Sequence, residues 1–379
     1  MNHRFIKTQI IPTLRKISWI PFVQKLFLKH KYRIVEYEKK LIDGIIEESE
    51  KIYLNLKSKP FVGIMHYGDN LIINPINDNK LRYINFLKYN SIDYELNNVS
   101  RSDWFKYIIK YDVIVWDTSS QPARLEETKN KIFITETILG KKCYPSFESV
   151  YSYENKVLQH YLYNIYNLPF VPTFVSNDLE ESLNFIEHCS FPIVSKISTG
   201  SGSRGVTIIR DKREAKRIIN RVFSSGRNTY HSYLKQKDYV YFQEYIQNAE
   251  FDLRVIVIGN KLFGYYRLKP KKDFRASGAN LIEKKELPEE AMRTAIACRN
   301  HFNATMIAVD MLYSNKYKKF LIIESSIFFG IETAEQLKIN GVPGYYLYEN
   351  DKFVFNEGKY WVQELALEIV LTEWDNSKV

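Results

Sequence analysis

The chain has 379 residues, 45% hydrophobic and 26% charged, with a formal net charge of +10 and a pI of ≈ 9.1. That length suits roughly two or three domains with a substantial core, and the positive balance favours anionic partners without choosing among them. Cys143, Cys189 and Cys298 stand far apart with no C-x-x-C pair, no stretch reaches the ~20 apolar residues of a spanning helix, and the N-terminus lacks a signal-type cleavage site. These features argue against a disulfide framework, a zinc site and a membrane span, and predict a cytoplasmic protein.

Residues 1–57 read as a helical extension, strongly basic to about Lys40. Apolar residues from Ile10 to Phe27 are ringed by Arg4, Lys7, Arg15, Lys16, Lys25 and Lys29. Such a stripe suits a helix lying on an anionic inner-membrane face through residues 1–40, or one packed on the protein or on a second copy in a homodimer.

Residues 58–148 alternate strands and helices. Pro60–His66, Tyr94–Val99 and Tyr111–Asp117 read as strands, Lys80–Tyr89 and Ala123–Ile138 as helices, and Lys142–Pro145 as a short extended piece. This βαβ rhythm implies a small parallel sheet, whose ligands gather at the carboxyl ends of strands. His66, Tyr67, Asp69, Asp117 and Thr118 fall at that edge, where turn chemistry is the alternative reading.

From residue 149 the pattern changes. A helix over Glu154–Ile165 precedes a strand at Thr173–Val175 and a helix at Leu179–Cys189. Then comes Phe191-Pro-Ile-Val-Ser-Lys-Ile-Ser-Thr-Gly-Ser-Gly-Ser-Arg-Gly-Val206. This is a strand ending in Lys196, a loop of small residues and a second strand to Arg210. Glycines 200, 202 and 205 let backbone N–H groups turn toward one point, and Lys196 adds a cation beside them, which suits a polyphosphate. Neither a P-loop nor a strand–G-x-G-x-x-G–helix is present. A Ser/Gly hairpin loop beside a surface lysine is the plainer alternative.

A helix at Arg213–Ser224, a strand at Tyr239–Tyr245, a hairpin over 251–268 and a helix from Pro288 follow. Ile307–Leu312 and Lys319–Ser326 read as two strands. Pairing them about Tyr317 sets Asp310 opposite Glu324, with Ser326 on the face of Glu324. Two carboxylates in apolar strands need a cation or basic partners, and oxygen ligands beside a nucleotide point to Mg²⁺.

The ordered set of lysine strand, small flap, Gln-Glu-Tyr-Ile strand, Asp-Leu-Arg hairpin, Asp-Phe-Arg loop and paired carboxylates resembles the ATP-grasp superfamily. The resemblance covers about residues 150–330 and is nearest the branch of ribosomal-protein glutamate ligases and glutathione synthetases. It implies an α+β fold of two subdomains gripping ATP over 149–379: residues 149–245 with a flap at 198–205, and 246–379 with the metal site. Before it would come the smaller α/β domain at 58–148.

It also implies roles for single residues. Lys156 and Lys196 would meet the ATP phosphates, with Lys196 also near the adenine. Ser201, Gly202 and Ser203 would lie in the flap, and Gln243, Glu244, Tyr245 and Ile246 would line the adenine pocket. Asp252 would hold the ribose. Arg275 would stabilise charge at the γ-phosphate, with Arg254 and Arg267 beside it. Asp310 and Glu324 would hold Mg²⁺, or Mn²⁺. The family's Glu-x-Asn reads Glu324-Ser325-Ser326 here, which puts a second metal ion in doubt.

The implied activity is ATP-dependent coupling of a carboxylate to an amine through an acylphosphate, with the carboxylate and the amine as partners. A uronic acid of a surface polysaccharide is the preferred carboxylate and a peptide or protein carboxylate the next. A small-molecule kinase and a lapsed nucleotide-binding regulator are the rivals. No RNA-binding segment is present, so no nucleic acid is expected. His66–Asn70 and Asn280–Lys284 are the candidate specificity segments.

Overall fold

The computed structural model describes residues 49–67, 79–117, 120–200, 205–231, 233–247, 249–269, 281–331 and 333–378. Residues 1–48, Asp69, Asn70, Thr118, Ser201, Gly202, Ser203, Arg275 and Asn280 lie outside these, and so do the expectations placed on them.

The first sheet is four-stranded and parallel, ordered β2-β1-β3-β4. Its elements run β1 (Val62–His66), α1 (Asn79–Tyr89), β2 (Tyr94–Asn98), α2 (Trp104–Ile108), β3 (Val113–Trp116), α3 (Pro122–Ile132) and β4 (Lys142–Tyr144). β1 and β3 are buried along their whole length, as strands covered on both faces must be. The helix expected over 123–138 divides, because α3 widens into a π-helical stretch at Phe133–Ile138.

The second sheet is a four-stranded antiparallel layer ordered β5-β8-β6-β7. It follows α4 (Phe147–Tyr151) and α5 (Lys156–Ile165). It comprises β5 (Thr173–Ser176), α6 (Leu179–His188), β6 (Ile193–Ser195), β7 (Thr207–Ile209), α7 (Lys212–Val222) and β8 (Val240–Glu244). Its helices start where the sequence supplies caps. Asp178 accepts from the Glu181 N–H at 2.7 Å. Asp211 caps its helix by accepting from Glu214 N–H, and the Glu214 side chain reaches back to accept from Arg210 N–H just before the cap. Ile193, Ile209, Ile219, Val240 and Phe242 make a core of their own under this sheet.

The large sheet runs β12-β11-β9-β10-β13, with β14 on β13. Its parts are β9 (Phe251–Ile258), β10 (Lys261–Leu268), α8 (Glu289–His301), β11 (Met306–Ser314), β12 (Lys319–Ser326), β13 (Val342–Glu349), β14 (Lys352–Glu357) and α9 (Val362–Asn376). One continuous core joins it to the parallel sheet, from Val62 and Trp116 through Val255 and Phe263 to Trp361 and Leu371. The antiparallel sheet meets the large one at a narrow seam. There Val171 N–H donates to Ile322 O at 3.0 Å and Ile322 N–H to Pro169 O at 2.9 Å.

One expectation is corrected. Residues 49–57 are not helical. Their backbone is held by side chains instead: Leu54 N–H donates to Asn90 at 2.8 Å, Asn90 donates to Ile52 O, and Lys57 and Ser58 N–H donate to Asp375. Backbone groups so engaged cannot close helical turns.

Candidate functional site

Lys196 stands one residue past β6. Ile193 of that strand packs into the helix-backed core, so alternation sends Val194 and Lys196 to the other face. Lys196 is buried there, its Nζ donating to Ile323 O of β12 at 3.5 Å. Burial pulls its pKa from 10.5 down to about 8, with Glu324 holding it up and Lys156 pressing it down.

Lys156 opens α5. Its Nζ donates to Gly200 O at 2.8 Å and lies 3.5 Å from Glu324 Oε1. The run Glu154-Asn155-Lys156 grips the root of the flap. Glu154 accepts from Gly200 N–H at 2.8 Å, Ser198 Oγ meets Asn155 Oδ1 at 3.1 Å, and Lys156 N–H donates to Ser198 O at 3.0 Å. Glu154 and Asn155 went unremarked in the sequence. The signal was there, because Asn155 caps α5 through Leu158 N–H.

Asp310 and Glu324 lie directly opposite across β11 and β12. The register reaches that pairing by a detour. Ser314 pairs with Lys319 and Met311 with Ile322, and an irregularity at Ile323 then restores Asp310 to Glu324. Each carboxylate has basic company. Arg254 on the neighbouring β9 forks onto Asp310, Nε to Oδ1 at 2.7 Å and NH2 to Oδ2 at 2.8 Å. Arg267 on β10 reaches Asp310 Oδ2 at 2.7 Å and also holds Asp252, its cross-strand partner.

Burial works against the Asp310 charge, but Arg254 and Arg267 outweigh it and hold the carboxyl far below its usual range. Burial, with repulsion from Asp310, lifts Asp252 to about 6 despite Arg267. Ser326 Oγ donates to Phe328 O at 2.6 Å. Ser325 is buried on Tyr163, whose OH lies 2.9 Å from its Oγ.

The residues expected at the adenine are on β8 and just after it. Gln243 is buried and donates to Thr173 Oγ1 at 2.9 Å. The Glu244 carboxylate is taken by Lys316 at 2.9 Å and Tyr317 OH at 2.7 Å. It therefore spans from the small sheet to the turn between β11 and β12, while its backbone N–H donates to Pro172 O at 2.8 Å. A cavity of ≈ 740 Å³ is lined by Phe174, Phe242, Glu244, Tyr245 and Ile246. Phe174 and Phe242 place it on the helix-backed side of β8, and neither Lys196 nor Gln243 lines it.

The arrangement is therefore a cleft between two sheets. Two lysines and a flap root lie on one wall, a carboxylate pair with two arginines on the other. The RimK-like ATP-grasp domain family matches residues 154–341. This chain belongs to the ATP-grasp superfamily. It is 23% identical over 247 residues to the alpha-aminoadipate–LysW ligase LysX of Saccharolobus solfataricus, covering 62% of this chain and 82% of that one. It is 24% identical over 247 residues to the glutamate–LysW ligase ArgX of Sulfurisphaera tokodaii, covering 64% and 83%. The fold matches the D-alanine–D-alanine ligase of Bacillus anthracis complexed with ATP at a TM-score of 0.52 and 15% identity, over 72% of this chain and 87% of that one.

The ATP-grasp chain is thus an enzyme of the carboxylate–amine ligase kind, using ATP and Mg²⁺ and releasing ADP and phosphate. Two facing carboxylates beside Lys156 and Lys196 fit Mg²⁺, which is commonly bound by one or two carboxylates plus phosphate oxygens. Among the described residues there is no cluster of three or more metal-ligating side chains. No helix among them is long and apolar enough to cross a membrane.

Proposed function

We propose that the chain joins the amine of an amino acid to a carboxylate on a larger anionic acceptor. The carrying observation is the cleft itself. Four basic side chains, Lys156, Lys196, Arg254 and Arg267, converge on Asp310 and Glu324.

The reaction needs only position and charge. An acceptor carboxylate oxygen attacks the γ-phosphorus and the bond to ADP breaks. The amine nitrogen then attacks the acyl carbon, phosphate leaves, and the nitrogen gives up a proton. Lys156 and Lys196 hold the phosphates, while Arg254 and Arg267 balance charge on the transferred group. Asp310 and Glu324 would hold Mg²⁺, which supplies charge neutralisation at the phosphates.

The activities of the relatives, an aminoadipate–LysW and a glutamate–LysW ligase, support an amino acid as the amine and a peptide or protein carboxylate as the acceptor. The +10 charge supports a second acceptor, a uronic acid of a surface polysaccharide.

The test is ADP release with Mg²⁺ across peptide and uronic acid acceptors, each with and without an amino-acid pool, with products weighed by mass spectrometry. An acceptor gaining one amino acid less water, with one ADP formed, is the expected result. ADP with a stable phosphorylated product in the absence of amine would overturn the reading in favour of a kinase.

A further inference from the structure

We propose that the outer face of α7 and the hairpin after it form a docking track for a linear polyuronate, a sugar chain carrying repeated carboxylates, and that the track leads to the cleft. The proposal rests on the uronic-acid reading of the acceptor. α7 buries Ala215 and Ile219 in the core under the antiparallel sheet. Its other face carries Arg213, Arg217 and Arg221, all exposed. Four-residue spacing sets them in one row, successive side chains roughly 6 Å apart along the axis. Like charges in such a row repel and weaken the helix. The ion pair of this helix is Lys212 with Glu187, and among the described residues none of the three arginines has one. Between 210 and 237 the acidic residues are Asp211 and Glu214 alone, and both carboxylates are taken up by backbone N–H groups. A row left without counter-charge by its own chain fits an anionic partner.

The row points at the cleft. β7 leads away from the loop at 198–205 and α7 returns toward it. Past its end, Gly226 N–H donates to Arg221 O at 2.8 Å, and a hairpin pairs Arg227–Asn228 with Lys235–Gln236. Arg227 NH1 donates to Ser195 Oγ at 3.1 Å and NH2 to Thr207 Oγ1 at 2.8 Å. Ser195 and Thr207 are the last cross-strand pair before that loop. Tyr239, just past the hairpin, accepts from Ser198 N–H at 2.8 Å. Arg227 therefore continues the row to the flap root, bonded to hydroxyls in place of a carboxylate. At the tip of the hairpin stand Tyr230 and Tyr233, 58% and 61% exposed, with the His231 ring 5.3 and 5.7 Å from theirs.

Three features choose the polyanion. The cleft activates a carboxylate, so a chain of repeated carboxylates can present one there while its neighbours lie on arginines, whose planar forks match that group. The apolar side chains of α7 pack on the core, which leaves no apolar stripe to enter a lipid surface. The exposed tyrosines offer flat rings to the apolar C–H side of a pyranose, a surface that an acidic peptide side chain lacks.

The test is calorimetric binding of the full chain, without nucleotide, to a size-defined oligogalacturonate and to its methyl ester, which lacks the charge. Polyglutamate, single-stranded RNA and phosphatidylglycerol vesicles are the comparison polyanions. The oligogalacturonate should bind more tightly than any of these, and more weakly as salt rises. Arg213→Gln/Arg217→Gln/Arg221→Gln should weaken it about tenfold or more, with thermal stability unchanged or higher because repulsion is relieved. Tyr230→Ala/Tyr233→Ala should weaken it about fivefold and leave polyglutamate binding as it was. An affinity unmoved by either variant, or tighter binding of polyglutamate, RNA or vesicles, would overturn the proposal.

Turnover separates the track from the acceptor reading. The arginine variant should raise KM for the oligomer about tenfold and leave kcat, and KM for monomeric galacturonate, at wild-type values. ADP release with the monomer but no binding of the oligomer sinks the track alone. Binding of the oligomer with no uronic acid consumed sinks the acceptor reading, and with it the claim that the track leads a substrate to the cleft.

Discussion

Asp310 and Glu324 are one cross-strand pair, yet they are neutralised by different chemistry. Glu324 faces the lysine wall, with Lys156 3.5 Å away and Lys196 close enough to feel its charge. Asp310 faces the arginine wall, gripped at 2.7 and 2.8 Å by Arg254 and at 2.7 Å by Arg267. Lysine is a compact charge that loses its proton when desolvated, whereas arginine keeps its charge and imposes a planar geometry. The lysine side is therefore sensitive to pH and the arginine side to shape.

Removing both carboxylates should erase the comparison altogether. Asp310→Asn with Glu324→Gln is expected to lower turnover by about 10³-fold or more, as loss of metal charge stabilisation costs several kcal/mol. ADP release reads this, and a double variant retaining a tenth of wild-type activity would contradict the assigned roles.

Next in size is Lys196→Met, expected to cost about 100-fold in kcat/KM for ATP. Lys196→Arg should not restore it, because a buried point charge is not replaced by a planar fork. On the other wall Arg254→Lys keeps the charge and loses the two-pronged grip. A loss of about tenfold in kcat is expected, with little change in thermal stability.

The pH dependence sharpens the contrast. The Lys196 pKa is about 8 in the folded protein without nucleotide, against 10.5 ordinarily. Between those values the unfolded chain binds more protons, so this group's contribution to folding stability rises with pH across that window. In the proposed phosphate-holding role Lys196 meets ATP as the protonated amine. Above pH 8 its affinity should fall by up to about tenfold per unit, and binding should draw a proton from the buffer. Calorimetry in buffers of different ionisation enthalpy measures that uptake, and none at pH 9 would contradict the assignment. The smallest expected effect is Ser326→Asn. An amide carbonyl is a better metal ligand than a hydroxyl already bonded to Phe328 O, so half-saturation by Mg²⁺ should fall about threefold. Titration of ADP release with Mg²⁺ reads that shift, and an unchanged or higher half-saturation would contradict it.

Much of this cleft could be read from local pattern. The lysine strand, the flap root and the opposed carboxylates follow from alternation and short turns, which depend on near neighbours in sequence. Even so, the pairing of Asp310 with Glu324 needed an irregularity at Ile323 that no propensity announces. The guanidinium grip on Asp310 was out of reach. It depends on β9 lying beside β11, a pairing between residues about 50 apart that sequence periodicity does not specify. Beyond residue 330 the sequence reading extends the ATP-grasp domain to residue 379 without naming elements, and there β13, β14 and α9 complete the large sheet and its core. Their continuous aromatic-rich runs, Tyr345 to Tyr348 and Phe353 to Phe355, carry a strand signal in the sequence. Residues 49–57 continue the helical reading of the basic segment before them, although Ile52, Leu54 and Leu56 alternate and distant side chains claim their backbone.

The seam at Ile322 has a mechanical consequence. Two backbone hydrogen bonds, from Val171 and to Pro169, pin the antiparallel sheet to the large one beside Glu324. Glu244 stands at the same seam, because its N–H donates to Pro172 O at 2.8 Å, one residue from Val171, while Lys316 and Tyr317 hold its carboxylate from the turn between β11 and β12. A jaw hinged there carries its fastenings on the pivot, so the Lys196 contact with Ile323 O would barely lengthen as it swings. Glu244→Gln should accordingly loosen the pivot and broaden the distances between paired spin labels on α7 and β14, and an unchanged distance distribution would place the pivot elsewhere.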